Sequence, residues 1–540
     1  MTSVLWQPSS SSSPPAGGIP SPGNPTAFRL LSLRAVETGA NLLACALAIV
    51  WLLALSLSHL KLVSQPGPHE INEPSVWFTT FLLDQGRNPY SPEELPGAAQ
   101  FFGPLYHGVV LALKPLFGIG YDAHRFLNLL CIGGSLWLLA TRMRRFGSGL
   151  GIALISSAWI YWMCLQNIMI TARPDALGFL LFLLAIIIPW ERAYSPRSSA
   201  VGLACALLAF HCKAYFALAL LPTLAGLALT HSLRRAAFTA LAFFATLAAS
   251  IALLDHFFPL YWLETFVMQR NAVGINTSDD ISPMHTAMLF ERAWPYFLFL
   301  AGAAILIPRH IHTWRRELSQ RQPRAIALGL TLALLLLHFA IVYFYMGHNG
   351  GALFTYHLHL IFPPLLFATA FALSRATPGL RVAFTVVLAA FGAFNITVQT
   401  VEDSAAAHQR LTDLIVEADP VYGSSSFVTD ILAHHQRPVH NSGFTLFLPM
   451  ATMNGRDEWD PGAQAIRDVF ERMPRETSDL IADRAYDLVL TSDDFLVFGD
   501  MDTLARHYEP AERIFMPMYF GGNFIQVWKP RRDSDSVTPR

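Results

Sequence analysis

The chain has 540 residues, 53% of them hydrophobic and 14% charged, with a net charge of −1 and a mean hydropathy of +0.39. Soluble domains average about 25% charged residues, so the deficit points to a membrane protein, and the near-zero charge excludes bulk attraction to nucleic acid. Cys45, Cys131, Cys164, Cys205 and Cys212 all lie in or at the ends of apolar stretches without CxxC spacing, which argues against a disulfide framework or a zinc site.

Residues 1–28 are rich in Ser, Pro and Gly, a composition that cannot bury enough apolar surface to fold. They show no signal-peptide cleavage pattern and are expected to form a disordered cytoplasmic tail. Apolar spans then fall near 35–58, 123–141, 147–165, 175–190, 199–212, 213–229, 236–257, 293–308, 325–345, 355–373 and 381–399. At about 20 residues per crossing this makes roughly eleven crossings. Placing the N-terminus in the cytoplasm puts most short arginine-rich loops inside, including the run from Arg309 to Arg324. That count requires the fifth and sixth spans to be two short helices meeting at the outer face, with Lys213 at the outer boundary. An odd number of crossings sends the C-terminus outside. The expected architecture is mainly α: a polytopic transmembrane bundle over residues 29–400, with surface-lying amphipathic helices in a first outer loop at 59–122. Residues 401–540 lose the hydrophobic runs and alternate short apolar stretches with helical patterns, which reads as a small extracytoplasmic α/β domain.

Candidate site residues concentrate in the outer loops. Glu73 precedes an amphipathic stretch, Pro74 to Gln85, with Trp77, Phe78, Phe81 and Leu82 on one side. A proline is well placed to start a helix, and an acid there is also favoured as a simple cap by the helix dipole. Glu70 and Asp84 are the competing acids nearby. Gly86-Arg87-Asn88-Pro89-Tyr90 reads as a turn, and Pro104-Leu105-Tyr106-His107 opens a second amphipathic segment. Arg125 begins the next span, suited to a lipid or substrate phosphate. Arg173-Pro174-Asp175 falls at the outer turn between the third and fourth spans. Ionisable residues at membrane depth are functional hypotheses by default, and an internal Arg–Asp pair locking the turn is the equal alternative. Lys213 at an outer boundary suits an anionic substrate. His348, Asn349, Tyr356 and His357 form a further polar group outside the ninth and tenth spans; His348 and one of the others could hydrogen-bond a sugar or pyrophosphate, while for any single histidine a satisfied interfacial role is the default. His357 and His359 are two apart on a predicted helix and do not share a face, so they do not make a bidentate metal site. The loop near 258–291, with Glu264, Asp279 and Asp280, reads as solvated.

Taken in order, Asn72-Glu73, Gly86, Asn88-Pro89-Tyr90, Gly103-Pro104-Leu105-Tyr106, Arg125 and Arg173-Pro174-Asp175 resemble the pattern of the polytopic glycosyltransferases of superfamily C. That group includes protein O-mannosyltransferases, the lipid A aminoarabinose transferase and bacterial family 39-like proteins. The resemblance covers roughly residues 35–400. It departs from the group at Asn72, where an acid is usual. The resemblance implies a bacterial inner-membrane enzyme moving a sugar from a polyprenyl-phosphate donor to a glycan, lipid or protein acceptor at the outer membrane face. Glu73 would be the general base and Asp175 its acidic companion. Arg173, Lys213 and Arg125 would neutralise the departing lipid phosphate, and Arg87, Tyr90, Tyr106, His107, His348, Asn349, Tyr356 and His357 would bind substrate. Some relatives use a divalent cation, Mg or Mn, and Glu73 with Asp175 is the pair to hold one; no other cofactor is implied. The rival readings are a non-catalytic member that binds a lipid-linked sugar and a lipid or solute transporter. Against the transporter, the polar candidates gather at one membrane face instead of the midplane, and no Walker motif is present.

Overall fold

The computed structural model describes residues 25–268, 376–398, 402–452 and 460–532, apart from 146–147, 167–168, 493–494 and 520–521, with isolated residues between 271 and 326. The expected spans near 293–308, 325–345 and 355–373 lie outside the described residues, as do His348, Asn349, Tyr356 and His357.

Numbered in chain order, the described helices of the apolar part are α1 (Pro25–Val63), α2 (Glu73–Asp84), α3 (Leu105–Phe117), α4 (Tyr121–Arg145), α5 (Leu150–Gln166), α6 (Asp175–Glu191), α7 (Pro196–Cys212), α8 (Leu220–Thr230), α9 (Leu233–Phe257) and α10 (Pro378–Asn395). Among the described residues, the segments Leu33–Val63, Tyr121–Arg145, Leu233–Phe257 and Pro378–Asn395 are long and apolar enough to cross a membrane. Their outer faces suit lipid: Leu42, Leu53 and Leu57 on α1 and Leu241, Phe244 and Leu253 on α9 are exposed. α1 packs on α5 and α10, and α4 on α5 and α6, while α6 packs on α7. α7 stops at Cys212, Ala214–Ala219 forms a 3-10 turn, and α8 follows, so Lys213 sits at a break between two short helices.

The C-terminal part contains α11 (Ala405–Glu417), β1 (Val421–Gly423), α12 (Thr429–His434), α13 (Pro461–Ala482), β2 (Leu488–Ser492), α14 (Met501–His507), β3 (Tyr508–Pro517) and β4 (Gly522–Pro530). The strands form one sheet in the order β1-β2-β4-β3. β1 and β2 are parallel, and the other neighbours are antiparallel. Successive side chains on a strand face opposite ways. Leu488 and Leu490 therefore join a core with Leu411 and Ile415 of α11 and Ile431 of α12. Val489 joins Ile481 of α13 and Leu504 of α14 on the other face. The result is a sheet covered on both sides by helices.

This part is seated directly on the loop between α1 and α2. Tyr519 N donates to His69 O at 2.8 Å, Ser404 Oγ donates to Pro66 O at 2.8 Å and Ser404 N to Gln65 Oε1 at 3.1 Å. Further along, Thr445 Oγ1 donates to Pro96 O at 3.0 Å. The backbones approach so closely that a Cβ on Gly97 would lie 2.3 Å from Val439 O. Gly443 has a φ of +114°, and a Cβ there would lie 2.6 Å from Ile71 O, so both positions require glycine.

Candidate active site

Glu73 opens α2 with Pro74 behind it, the start that the sequence pattern suggests. Its side chain is not available as expected. Oε1 accepts from Arg125 Nε at 2.9 Å and from Ala172 N at 2.6 Å. Oε2 accepts from Arg125 Nη2 at 2.7 Å and from His69 N at 2.6 Å. Arg125 spends its other N–H groups on Leu62 O, Gln65 O and Gly67 O, at 3.2, 2.8 and 2.7 Å. Both side chains are 0% exposed. Burial raises the Glu73 carboxyl, but the Arg125 charge and hydrogen bonds outweigh it and hold the group below the usual carboxylate range. A carboxylate with every favourable lone pair occupied by N–H donors is a poor proton acceptor, and an arginine with five N–H bonds to protein has nothing left for a phosphate. Glu73, expected as base, and Arg125, expected as phosphate ligand, are thus bonded to each other and to backbone in this structure. Together they form a knot tying the end of α1, the start of α2, α4 and the turn before α6.

A second group of charges lies beside this knot. Asp175 is the first residue of α6, with Pro174 at its N-cap. Asp175 Oδ1 accepts from Lys213 Nζ at 2.7 Å and from Tyr215 OH at 3.2 Å, and Oδ2 accepts from Arg173 Nε at 3.2 Å. Arg173 Nη1 also reaches Glu70 Oε1 at 3.4 Å. The four charged side chains are only 2–7% exposed. Asn128 donates to Arg173 O at 2.9 Å and also to Thr171 O, which fixes the turn. Phe102 underlies the cations, with Lys213 Nζ 4.9 Å and Arg173 Cζ 5.8 Å from its ring centroid.

Glu70 differs from Glu73 in kind. Asn72 turns back to it, donating from Nδ2 to Oε1 at 2.6 Å and from N to Oε2 at 2.9 Å. Oε2 has a single donor among the described residues and keeps one lone pair. Burial pushes the Glu70 carboxyl above the ordinary range, against the opposing pull of Arg173. Asn72, at the position where an acid is usual in the resembling group, thus serves as a hydrogen-bond brace for Glu70.

The structure brings Arg173, Asp175 and Lys213 together with Glu70. Glu73 and Arg125 are adjacent but closed on themselves. Tyr90 donates to Phe102 O at 2.6 Å and supports Phe102 from below. Tyr106 donates to His124 O and Asn128 Oδ1 at 3.2 and 3.3 Å, and His107 pairs with Thr80 Oγ1 at 2.8 Å; both side chains are buried. Arg87 pairs with Glu94 at the surface, with its side chain 55% exposed, away from the cluster. From sequence Glu70 is only a competing acid, and nothing there singles out Phe102 or Tyr215. The spacing Glu70-x-Asn72-Glu73 was the available signal, because an Asn two residues on can bond back to its acid. Glu264, taken as part of a solvated loop, is 0% exposed.

The carboxylates expected to hold a divalent cation do not fit one. Glu73 is filled by N–H donors and Asp175 is bound by Lys213 and Arg173, whereas Mg binds through carboxylate oxygens with room for several waters. Among the described residues no group of three or more His, Cys, Asp or Glu is arranged to hold a metal.

No family model matches this chain, and no curated protein does. Among solved structures, it is similar to ArnT from Cupriavidus metallidurans bound to undecaprenyl phosphate, at 13% identity and a TM-score of 0.46, covering 91% of this chain and 98% of the other. The apo state of the same protein gives the same figures: 13% identity, a TM-score of 0.46, and 91% and 98% coverage. The Archaeoglobus fulgidus oligosaccharyltransferase tethered with an acceptor peptide gives 14% identity, a TM-score of 0.43, and coverage of 91% of this chain and 73% of that one.

Proposed function

We propose that this chain is a membrane glycosyltransferase that moves a sugar from a polyprenyl-phosphate donor to a hydroxyl-bearing acceptor, with chemistry centred on Glu70, Arg173, Asp175 and Lys213. The observation that carries this reading is the burial of two carboxylates and two cations together, outside the knot that already satisfies Glu73 and Arg125. The motif order of the sequence supports it independently.

In the transfer, the acceptor oxygen bonds to the anomeric carbon, the bond from that carbon to the phosphate oxygen breaks, and the acceptor proton must leave. Glu70 takes the proton; its raised affinity for one and its open lone pair suit a general base. Arg173 and Lys213 face the phosphate, whose charge grows as the bond breaks. Buried and already oriented by Asp175, they need little reorganisation at that moment. Charge balance couples the two events. With Glu70 ionised, the cluster holds two positive and two negative charges. Once Glu70 is protonated, one positive charge is uncompensated, at the stage when the leaving phosphate has gained a negative one. The exposed apolar faces of α1 and α9 offer the surface on which an isoprenoid chain can lie.

The test is release of polyprenyl phosphate by the purified full chain from a panel of lipid-linked sugars. Glu70→Gln should lower turnover by about 10²–10⁴-fold, the usual contribution of a general acid–base group, with melting unchanged. Wild-type turnover by Glu70→Gln would remove Glu70 from the chemistry. Donor binding without any turnover by the wild type would leave the non-catalytic reading.

A further inference from the structure

Outside the charged cluster lies a buried acid, Glu264, with no cationic partner among the described residues. Glu264 belongs to a π-helical turn, Leu263–Met268, an irregularity often found at functional sites. Its Oε2 accepts from Gln100 N at 3.1 Å, while Oε1 is buried with no hydrogen-bond partner among the described residues. The Gln100 side chain cannot turn to serve it, because its own Oε1 accepts from Phe102 N at 3.2 Å and its Nε2 donates to Thr79 Oγ1 at 3.1 Å. The hydroxyl of Thr265, next in sequence, is likewise buried and without a partner among the described residues. The π-helical turn packs against the 3-10 helix Thr445–Thr452, next to a group of rings. Phe101 lies 4.2 Å from Phe444 and 5.4 Å from Phe447, centroid to centroid, and Phe102 lies 5.6 Å from Phe444.

A buried polar atom left unpaired costs free energy, so each of these needs an explanation. Burial, with only one neutral N–H for company, keeps the Glu264 carboxyl protonated well above the ordinary range. The junction therefore offers an uncharged donor beside aromatic faces, not a charge. A phosphate or a cation gains little there. A sugar ring, with hydroxyls on its edge and C–H groups on its face, matches both.

We propose that the junction of the π-helical turn, the Gln100–Phe102 segment and the Phe444–Phe447 rings is a subsite for a neutral sugar ring, with Glu264 as its principal hydrogen-bonding group. It deepens the function proposed above and rests on it for the nature of the ligand. Donor and acceptor could each supply such a ring. Phe102 links the two places: its backbone N–H donates to Gln100, whose own N–H serves Glu264, while its ring lies 4.9 Å from Lys213 Nζ.

The test uses the full chain and three probes: a polyprenyl-phosphate sugar, bare polyprenyl phosphate and free glycan acceptors. Glu264→Gln keeps both an acceptor for Gln100 N and a donor, and should bind like the wild type. Glu264→Met should bind the sugar-bearing probe about tenfold more weakly, the worth of roughly one hydrogen bond, and bare polyprenyl phosphate equally well. In the wild type, an apolar carbodiimide, which attacks protonated carboxyls, should label Glu264, and this readout stands even if Glu264→Met does not fold. Protection by the sugar-bearing lipid assigns the subsite to the donor sugar, and protection by free glycan alone assigns it to the acceptor. Equal binding of every probe by Glu264→Met, or Glu264 labelling that is absent or unaffected by any sugar, would overturn the proposal. Neither readout needs turnover: protection of Glu264 by glycan in a chain that transfers nothing would sink the glycosyltransferase reading and leave the subsite standing.

Discussion

Glu73 and Glu70 stand three residues apart with the same side chain and different partners. Removing the charge of Glu73 strands the Arg125 guanidinium in the interior. Breaking a buried ion pair from one side costs about 3–5 kcal/mol. Glu73→Gln is accordingly expected to lose activity by losing structure, seen as a lower melting temperature and earlier proteolysis in detergent. A Glu73→Gln protein that melts like the wild type but turns over nothing would return the base to Glu73. For Glu70 the expectation lies in the pH profile. Its carboxyl is raised by burial, so the ionised base appears only above the ordinary carboxylate range, and transfer should increase with pH through that raised value. The acid limb should vanish from the residual activity of Glu70→Gln. The same sign applies to stability: a raised acid favours the fold at low pH and gives up that contribution as it ionises.

At the scale of elements, α2 is plain from sequence, because Trp77, Phe78, Phe81 and Leu82 recur at helical spacing and the helix runs Glu73–Asp84. What the spacing does not carry is the burial of its other face. Thr79 and Thr80 are also buried, because α3 and the Gln100 segment cover them. Glu264 reads as loop for the same reason: its surroundings come from Gln100 and the Thr445–Thr452 helix, remote in sequence. Residue type singled out Arg173, Asp175 and Lys213, since charge is rare in apolar spans, whereas the pairing of Arg125 with Glu73 needed three-dimensional contacts. α11 and α12 meet at an ion pair, His408 Nε2 to Asp430 Oδ2 at 2.9 Å, pressed against Gly67 of the first loop. Burial opposes the charge on His408, but the Asp430 hydrogen bond and charge win and raise its proton affinity above the ordinary histidine value. This contact is thus fully made below that ordinary value and weakens as pH rises through the raised one. Limited proteolysis between the two parts is expected to accelerate over that interval, and His408→Gln should flatten the dependence. Pronounced pH dependence in His408→Gln would assign the effect to another group.

For the whole molecule, contacts between Gln65–His69 and Ser404–Tyr519 require the first loop and the sheet to lie on one side of the bilayer. α1 enters that loop through a segment long enough to cross. Reporters fused before α1 and after β4 are therefore expected on opposite membrane faces, read by reagents that do not cross lipid. Two reporters on the same face would contradict the crossing of α1.

The seating of the sheet on the first loop also has a meaning in time. The loop bearing Glu70 leaves the ribosome early, while Ser404, Gly443 and Tyr519, which hold its backbone, are made near the end. Until they have been made, the stretch from Gln65 to Ile71 has its bonds to Arg125 and Glu73 but lacks its contacts to the sheet. A chain cut short before the sheet would carry Glu70, Arg173, Asp175 and Lys213 without the contacts that seat the first loop, so on the function proposed above the centre is complete only once the last strands are in place.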